Sequence, residues 1–221
     1  MSTNRTLRRK EIQMLSPTKA SAVGEYVERK ISSIQKGILA DNSHARATLS
    51  RLRRDINGSS TNWMIIGNDI YSDWPVGSLG NPDDDALAVN AVVTALGLYA
   101  LHQQSKSYGV AQLRKDDEPS VSFGRACRMI GRNNRANPQD GAVNNGVTRR
   151  LGAAEAAPTF EGKVWFFRAL IRLMRSDDSR ITLNYRDFAR DLYLIQQPES
   201  ASQVFQRWSC DFFYRTPSNK D

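Results

Sequence analysis

The stretch "SFGRACRMIGRNNR", residues 122–135, sets arginines at 125, 128, 132 and 135, in steps of three, four and three. At about 100° per residue on a regular helix, these four side chains project within a sector of roughly 80°. Phe123, Ala126, Cys127, Met129 and Ile130 take the other side, and no acid interrupts the row. A second stripe lies in "VWFFRALIRLMR", residues 164–175. There Arg168, Arg172 and Arg175 share roughly 60° of arc, and Val164, Phe166, Phe167, Ala169, Leu170, Ile171, Leu173 and Met174 occupy nearly everything else. Arginine suits phosphate better than lysine does, because its planar fork bonds two oxygens at once. Arg46, Arg51, Arg53 and Arg54 spread around the polar side of "HARATLSRLRRDI", and Arg149 and Arg150 form a pair in "GVTRRLGAAEAA".

The chemistry these residues suggest is a grip on a nucleic-acid backbone. No zinc finger, aromatic RNA-recognition signature or basic zipper accompanies them, so base reading is not expected. Trp165 borders the second stripe; a tryptophan in "VWFF" reads as core, and stacking on an unpaired base is its other role. The competing account of the stripes is that the arginines are solvated or pair with acids elsewhere.

The charge distribution agrees with a polyanion partner. The 221 residues carry a net charge of +8 from 31 basic and 23 acidic residues. Residues 1–56 hold 12 basic against 5 acidic and residues 121–190 hold 13 against 6, whereas 57–120 hold 3 against 8. Two positive blocks are the electrostatic footprint of a polyanion binder, and an acidic protein surface would satisfy the same field.

Enzyme signatures are missing: there is no phosphate-binding glycine loop, dinucleotide fingerprint, paired histidines at metal spacing or CxxC. No catalytic residue, metal or cofactor is therefore expected. Asp83, Asp84 and Asp85 read as a helix start, where the dipole favours negative charge. Asp187 and Asp191, interleaved with Arg186 and Arg190, read as salt bridging along a solvated helix face. His44 and His102 read as surface or capping residues. Cys127 and Cys210 are expected to be free, buried thiols. The longest apolar run, "VNAVVTALGLYAL" at 89–101, is too short to span a bilayer, and the N-terminus lacks a secretory pattern, so a cytoplasmic protein with no membrane partner is expected.

The elements that must position these residues are helices, because apolar residues recur at three and four and strict alternation is scarce. The fold class is all-α, a two-lobed bundle of about eight or nine helices. Residues 1–15 form a basic, flexible arm, 16–118 an N-terminal lobe, and 119–221 a C-terminal lobe with an exposed loop near 133–146. Ser16-Pro17 starts a helix that runs to near Leu39. Asp41 or Ser43 caps the next, whose Leu49, Leu52 and Ile56 share a face and which Asn57-Gly58 ends. Residues 59–82 form a loop-rich bridge around Trp63 and Trp74. A buried helix spans about 83–104, and Ser122 caps the arginine-bearing helix. Further helices lie near 147–156, 159–176, 184–196 and 199–214.

"SFGRA" (Ser122, Phe123, Gly124, Arg125, Ala126), preceded by the buried helix and followed by an Arg-Arg pair and then by "VWFFRALIRLMRSDDSRITLNYRDFARDLYLI", resembles the CasB family, the small subunit of the type I-E CRISPR Cascade complex. The likeness runs from about residue 20 to 215. It implies an all-helical, two-lobed protein without catalytic activity. Two copies would line the belly of Cascade beside the crRNA-bearing backbone subunits and the large subunit. The family's basic surface implies contact with crRNA and with the displaced strand of target DNA, stabilising the R-loop. Arg125 carries over from the Gly-Arg-Ala motif, Arg149 and Arg150 match the family's arginine pair, and Arg53 and Arg54 match an early Arg-Arg. The chain departs from the family in a longer basic arm and in an asparagine-rich insertion before Arg149.

The nucleic-acid-binding set is thus Arg53, Arg54, Arg125, Arg128, Arg132, Arg149, Arg150, Arg168, Arg172 and Arg175. The alternatives are a helical adaptor whose basic faces dock acidic protein partners, and an independent DNA-binding regulator, for which no compact recognition unit is visible.

Overall fold

A computed structural model describes residues 17–57, 62–113, 118–131 and 144–214. The basic arm, Ser16, Gly58, Arg132, Arg135 and all but the end of the loop read at 133–146 lie outside the described residues. Ten α-helices make up the described chain: α1 (Pro17–Leu39), α2 (Ser43–Asn57), α3 (Trp63–Tyr71), α4 (Val76–Leu79), α5 (Ala86–Gln103), α6 (Phe123–Met129), α7 (Asn145–Ala156), α8 (Phe160–Ser176), α9 (Tyr185–Leu194) and α10 (Pro198–Phe213). The fold is all-α, as the three- and four-residue periodicity predicts.

The central element is α5. Burial on all sides follows from a sequence that is apolar all round, and every residue from Ala91 to Gln103 is buried. Helices α1, α2, α8 and α9 pack around it. By length and composition α5 is the one described helix able to cross a membrane, but 78% of it is buried inside the fold. Asp85 is its N-cap, accepting a hydrogen bond from the Ala88 amide at 3.0 Å. The helix therefore starts later than the acidic triplet suggests, because Pro82–Asp84 form a separate turn of 3₁₀ helix ahead of it.

One other start and one whole segment differ from the sequence expectation. Asn42 caps α2, its Oδ1 accepting the amides of His44 (2.8 Å) and Ala45 (3.2 Å). Asp41 instead takes a left-handed backbone, φ 60°, and pairs with Arg46. The bridge read at 59–82 contains α3 and α4. Its glycines and prolines fall mostly outside α3, where Ile66 and Ile70, four apart, bury one side of the helix. Cooperative packing of that pair outweighs the single internal Gly67.

The segments before α6 and α9 run side by side. The Leu183 amide donates to the Val110 carbonyl and the Gln112 amide to the Leu183 carbonyl, both at 3.0 Å. The buried side chain of Gln35 completes this junction by receiving the Ala111 amide at 2.9 Å and donating to the Ala111 carbonyl at 3.1 Å.

His102 lies inside this frame rather than at a surface or a cap. It is 1% exposed, with Nδ1 3.1 Å from the Tyr185 hydroxyl. Burial, reinforced by the charge of Lys106, lowers its pKa to about 3. The unfolded chain binds a proton near pH 6.5 and the folded one does not, so stability is complete above that pH and falls as pH drops toward 3. His102→Gln should flatten this dependence by about one proton, or roughly 1.4 kcal/mol per pH unit. Urea unfolding at pH 4.5, 5.5 and 6.5 measures it; an unchanged slope would contradict the assignment.

Candidate nucleic-acid interface

In "SFGRA" four of five residues are structural. Ser122 caps α6 by accepting the Arg125 amide at 3.2 Å, and its hydroxyl donates to Asp211 Oδ2 at 2.5 Å on α10. Phe123 is buried against the rings of Phe188 (centroids 4.6 Å apart), Trp208 (4.8 Å) and Phe167 (5.4 Å). Gly124 sits where α6 meets the backbone of α10: a Cβ there would lie 2.2 Å from the Trp208 carbonyl oxygen. Ala126 is fully buried. Arg125 alone is exposed, with Nη1 3.4 Å from the Ser120 carbonyl. Cys127 is buried, whereas Cys210 is exposed on α10, contrary to the expectation of two buried thiols.

The four-arginine row does not form one continuous helix. Helix α6 ends at Met129 because Gly131 adopts the left-handed conformation, φ 73°, that terminates helices. The Gly131 amide then donates to Asp177 Oδ2 at 2.7 Å. Arg125 and Arg128 belong to α6, and Arg132 lies beyond the described residues. Arg128 is half-buried and donates to the Tyr214 carbonyl at 2.9 Å, just past the end of α10.

The stripe on α8 is intact, and its ends are anchored. Arg168 Nη1 donates to the Ile56 carbonyl at 3.3 Å, in the last turn of α2. Arg175 donates to Gln104 Oε1 at the C-terminus of α5. Both cations thus stand at helix C-termini, where the dipole favours positive charge. Burial first, then the charge of Arg172, pulls Arg168 below its ordinary pKa, although a guanidinium so far from neutral pH stays charged. Arg172 is exposed between them. Each guanidinium has five donors, so one internal bond leaves capacity for a phosphate.

Arg149 and Arg150 are exposed on α7, which Asn144 caps; Arg150 donates to Gly146 O, one turn back, at 2.8 Å. Arg54 is exposed and Arg53 half-buried on α2. Other arginines are structural. Arg51 forms a two-point contact with Asp69 at 2.7 and 2.8 Å. Arg186 pairs with Glu25 (2.8 Å) and Glu28 (3.6 Å) across α1 and α9.

Trp165 is not a core residue: it is 61% exposed on the α8 stripe. Asp191 corrects the sequence reading in the opposite sense. It is 2% exposed, beneath α10 rather than on a solvated face, and it accepts Trp208 Nε1–H at 2.8 Å and Arg207 Nη2 at 2.6 Å. Asp187 keeps the expected pairing with Arg190, at 3.5 Å. Among the described residues no three of His, Cys, Asp and Glu gather in a group able to hold a metal. Lys163, which no sequence pattern singles out, is buried and donates to the Ala154 and Glu155 carbonyls at 3.1 and 2.9 Å, closing the end of α7.

Residues 45–213 match the family model described as CRISPR-associated protein Cse2. The fold is similar to the crystal structure of CasB from Thermobifida fusca, with a TM-score of 0.65 and 30% identity over 87% of this chain and 98% of that one. No curated protein matches the chain.

The division of labour inside "SFGRA" is directly testable. Gly124→Ala should destabilise the fold by ~1–3 kcal/mol or more, since backbone must shift to admit the methyl. Arg125→Ala should stay within ~0.5 kcal/mol of the parent. Thermal unfolding of the two variants measures the contrast, and equal melting temperatures would contradict it.

Proposed function

The chain belongs to the CRISPR-associated Cse2 (CasB) family, and on that premise we propose that it is the non-catalytic small subunit of a type I-E Cascade complex in the cytoplasm. In this reading its basic faces hold crRNA and the displaced strand of target DNA without regard to sequence, and so prolong the R-loop. Its partners are the backbone and large subunits and a second copy of itself; one basic block falls in the 1–15 arm and the 16–118 lobe, the other in the 119–221 lobe. Cascade function asks no chemistry of this subunit. R-loop formation exchanges one duplex for another of similar stability, so a modest charge-based grip on the displaced strand tips the balance.

The observation that carries this reading is how the arginines divide. Arg46, Arg51, Arg186, Arg190 and Arg207 are each in an ion pair. Arg125, Arg149 and Arg150 are exposed on two helices and form no ion pair among the described residues. Cations kept on the surface away from acids suit a partner that brings its own negative charge. Phosphate contacts of this kind carry position rather than base identity.

Replacing Arg125, Arg149 and Arg150 together by alanine should lower the salt slope of single-strand binding by about 0.7 for each phosphate that is no longer engaged. The helices should persist, alanine being their best former. In reconstituted Cascade the same variant should leave the target strand paired with the guide while nuclease reaches the displaced strand more readily. Wild-type protection and salt slope with failed assembly would instead support the adaptor reading. Incubation of the parent protein with DNA, RNA and Mg²⁺ or Mn²⁺ should leave the nucleic acids intact; cleavage abolished by Asp84→Asn would contradict the non-catalytic assignment.

A further inference from the structure

Trp165 is the residue that the arginine-centred account leaves unused. Large aromatic side chains normally bury 150–250 Å² each, and this indole is 61% exposed while its helix neighbours Phe167, Leu170, Ile171 and Met174 are buried. A lone exposed apolar residue needs no explanation by itself. Three features set this one apart. Its ring is braced edge-on by Phe166, with centroids 4.9 Å apart and planes at 87°. Along its own face of α8 it is followed by Arg168 and Arg172, at three and seven residues, and no acid lies between Trp165 and Ser176. Finally, Arg168 is pinned to the Ile56 carbonyl, so the first cation of the series is fixed relative to the indole.

On a helix rising 1.5 Å per residue, Arg168 lies about 4.5 Å and Arg172 about 10 Å along the axis from Trp165. Those separations suit successive groups of a single strand, whose bases stack on aromatic side chains while cations follow its backbone. An acidic protein segment would also meet the arginines, but it would gain nothing specific from an exposed indole beside them. We propose that Trp165 is a stacking platform for one unpaired nucleobase, with Arg168 and Arg172 taking the adjoining phosphates. This rests on the nucleic-acid reading above and adds to it a contact that senses whether a base is present, though not which base.

The test compares full-length protein and its variants on a twenty-nucleotide dT strand, a twenty-nucleotide rU strand and an abasic strand of equal length and charge, at low salt. Trp165→Ala should weaken binding to the strands that carry bases by about tenfold, the effect of removing one stack. It should leave both the abasic affinity and the salt slope unchanged. Trp165→Phe should recover most of the loss, and Arg172→Ala should weaken all three strands and reduce the slope. A Trp165-dependent loss on dT alone assigns the stack to the DNA strand, on rU alone to the guide RNA, and on both to either. If the parent binds well and Trp165→Ala binds equally, or loses as much on the abasic strand, the stacking proposal is overturned while the backbone-binding function stands. If the parent binds none of the strands, both fall together.

Discussion

The fold turns on one buried carboxylate. Asp191 lies beneath α10 and receives the Trp208 indole N–H and the Arg207 guanidinium, with Arg190 3.2 Å away. Burial drives its pKa upward, and the two arginines and the indole bond oppose that rise. A buried charge is tolerated only when it is paired and hydrogen-bonded, and removing one partner leaves the others unsatisfied inside the protein. The bond to Asp191 sets the orientation of Trp208. Around that ring pack Phe123 from α6, Phe167 from α8, Phe188 from α9 and Phe205 from α10, with centroids 4.8–6.1 Å away. Four helices thus take their places from one polar contact and the rings gathered around it.

The proposed nucleic-acid surface is the outer side of this arrangement. Helix α6 can approach α10 closely because residue 124 has no side chain, and Arg125 points outward from the same short helix. Helix α8 buries Phe167, Leu170, Ile171 and Met174 and turns Trp165 and Arg172 to the surface. Arg168 and Arg175 serve two ends at once, closing the C-termini of α2 and α5 while adding positive charge to the stripe. Their positions are therefore held by the protein before any partner arrives, and pre-organised cations lose less entropy on binding phosphate.

Much of this is legible in residue types and spacing. The periodic apolar faces of α1, α8 and α9, the continuous burial of α5 and the Ser122 cap follow from short-range patterns. What escapes such patterns is set by long-range packing. Trp165 and Trp208 are both tryptophans in aromatic-rich helices, yet one is exposed and the other buried, and only the tertiary neighbours decide which. Asp191 does leave a signal: it shares a face with Phe188, Leu192 and Ile195, and an acid on an apolar stripe demands a buried partner. Helix α3 is hidden because the surrounding glycines and prolines dominate local propensity, whereas burial of Ile66 and Ile70 decides the outcome. The arginine row misleads beyond Met129, since steps of three and four continue in the sequence after Gly131 has ended the helix.

Salt dependence of binding tests most directly the proposal that these helices present fixed positive charge to a nucleic-acid backbone. Affinity of the intact protein for two single strands of unrelated sequence would be followed between about 50 and 200 mM salt. Log K should fall linearly with log salt, by about 0.7 for each phosphate engaged, with the same slope for both sequences. An affinity that is independent of salt, or that survives on one sequence alone, would contradict it.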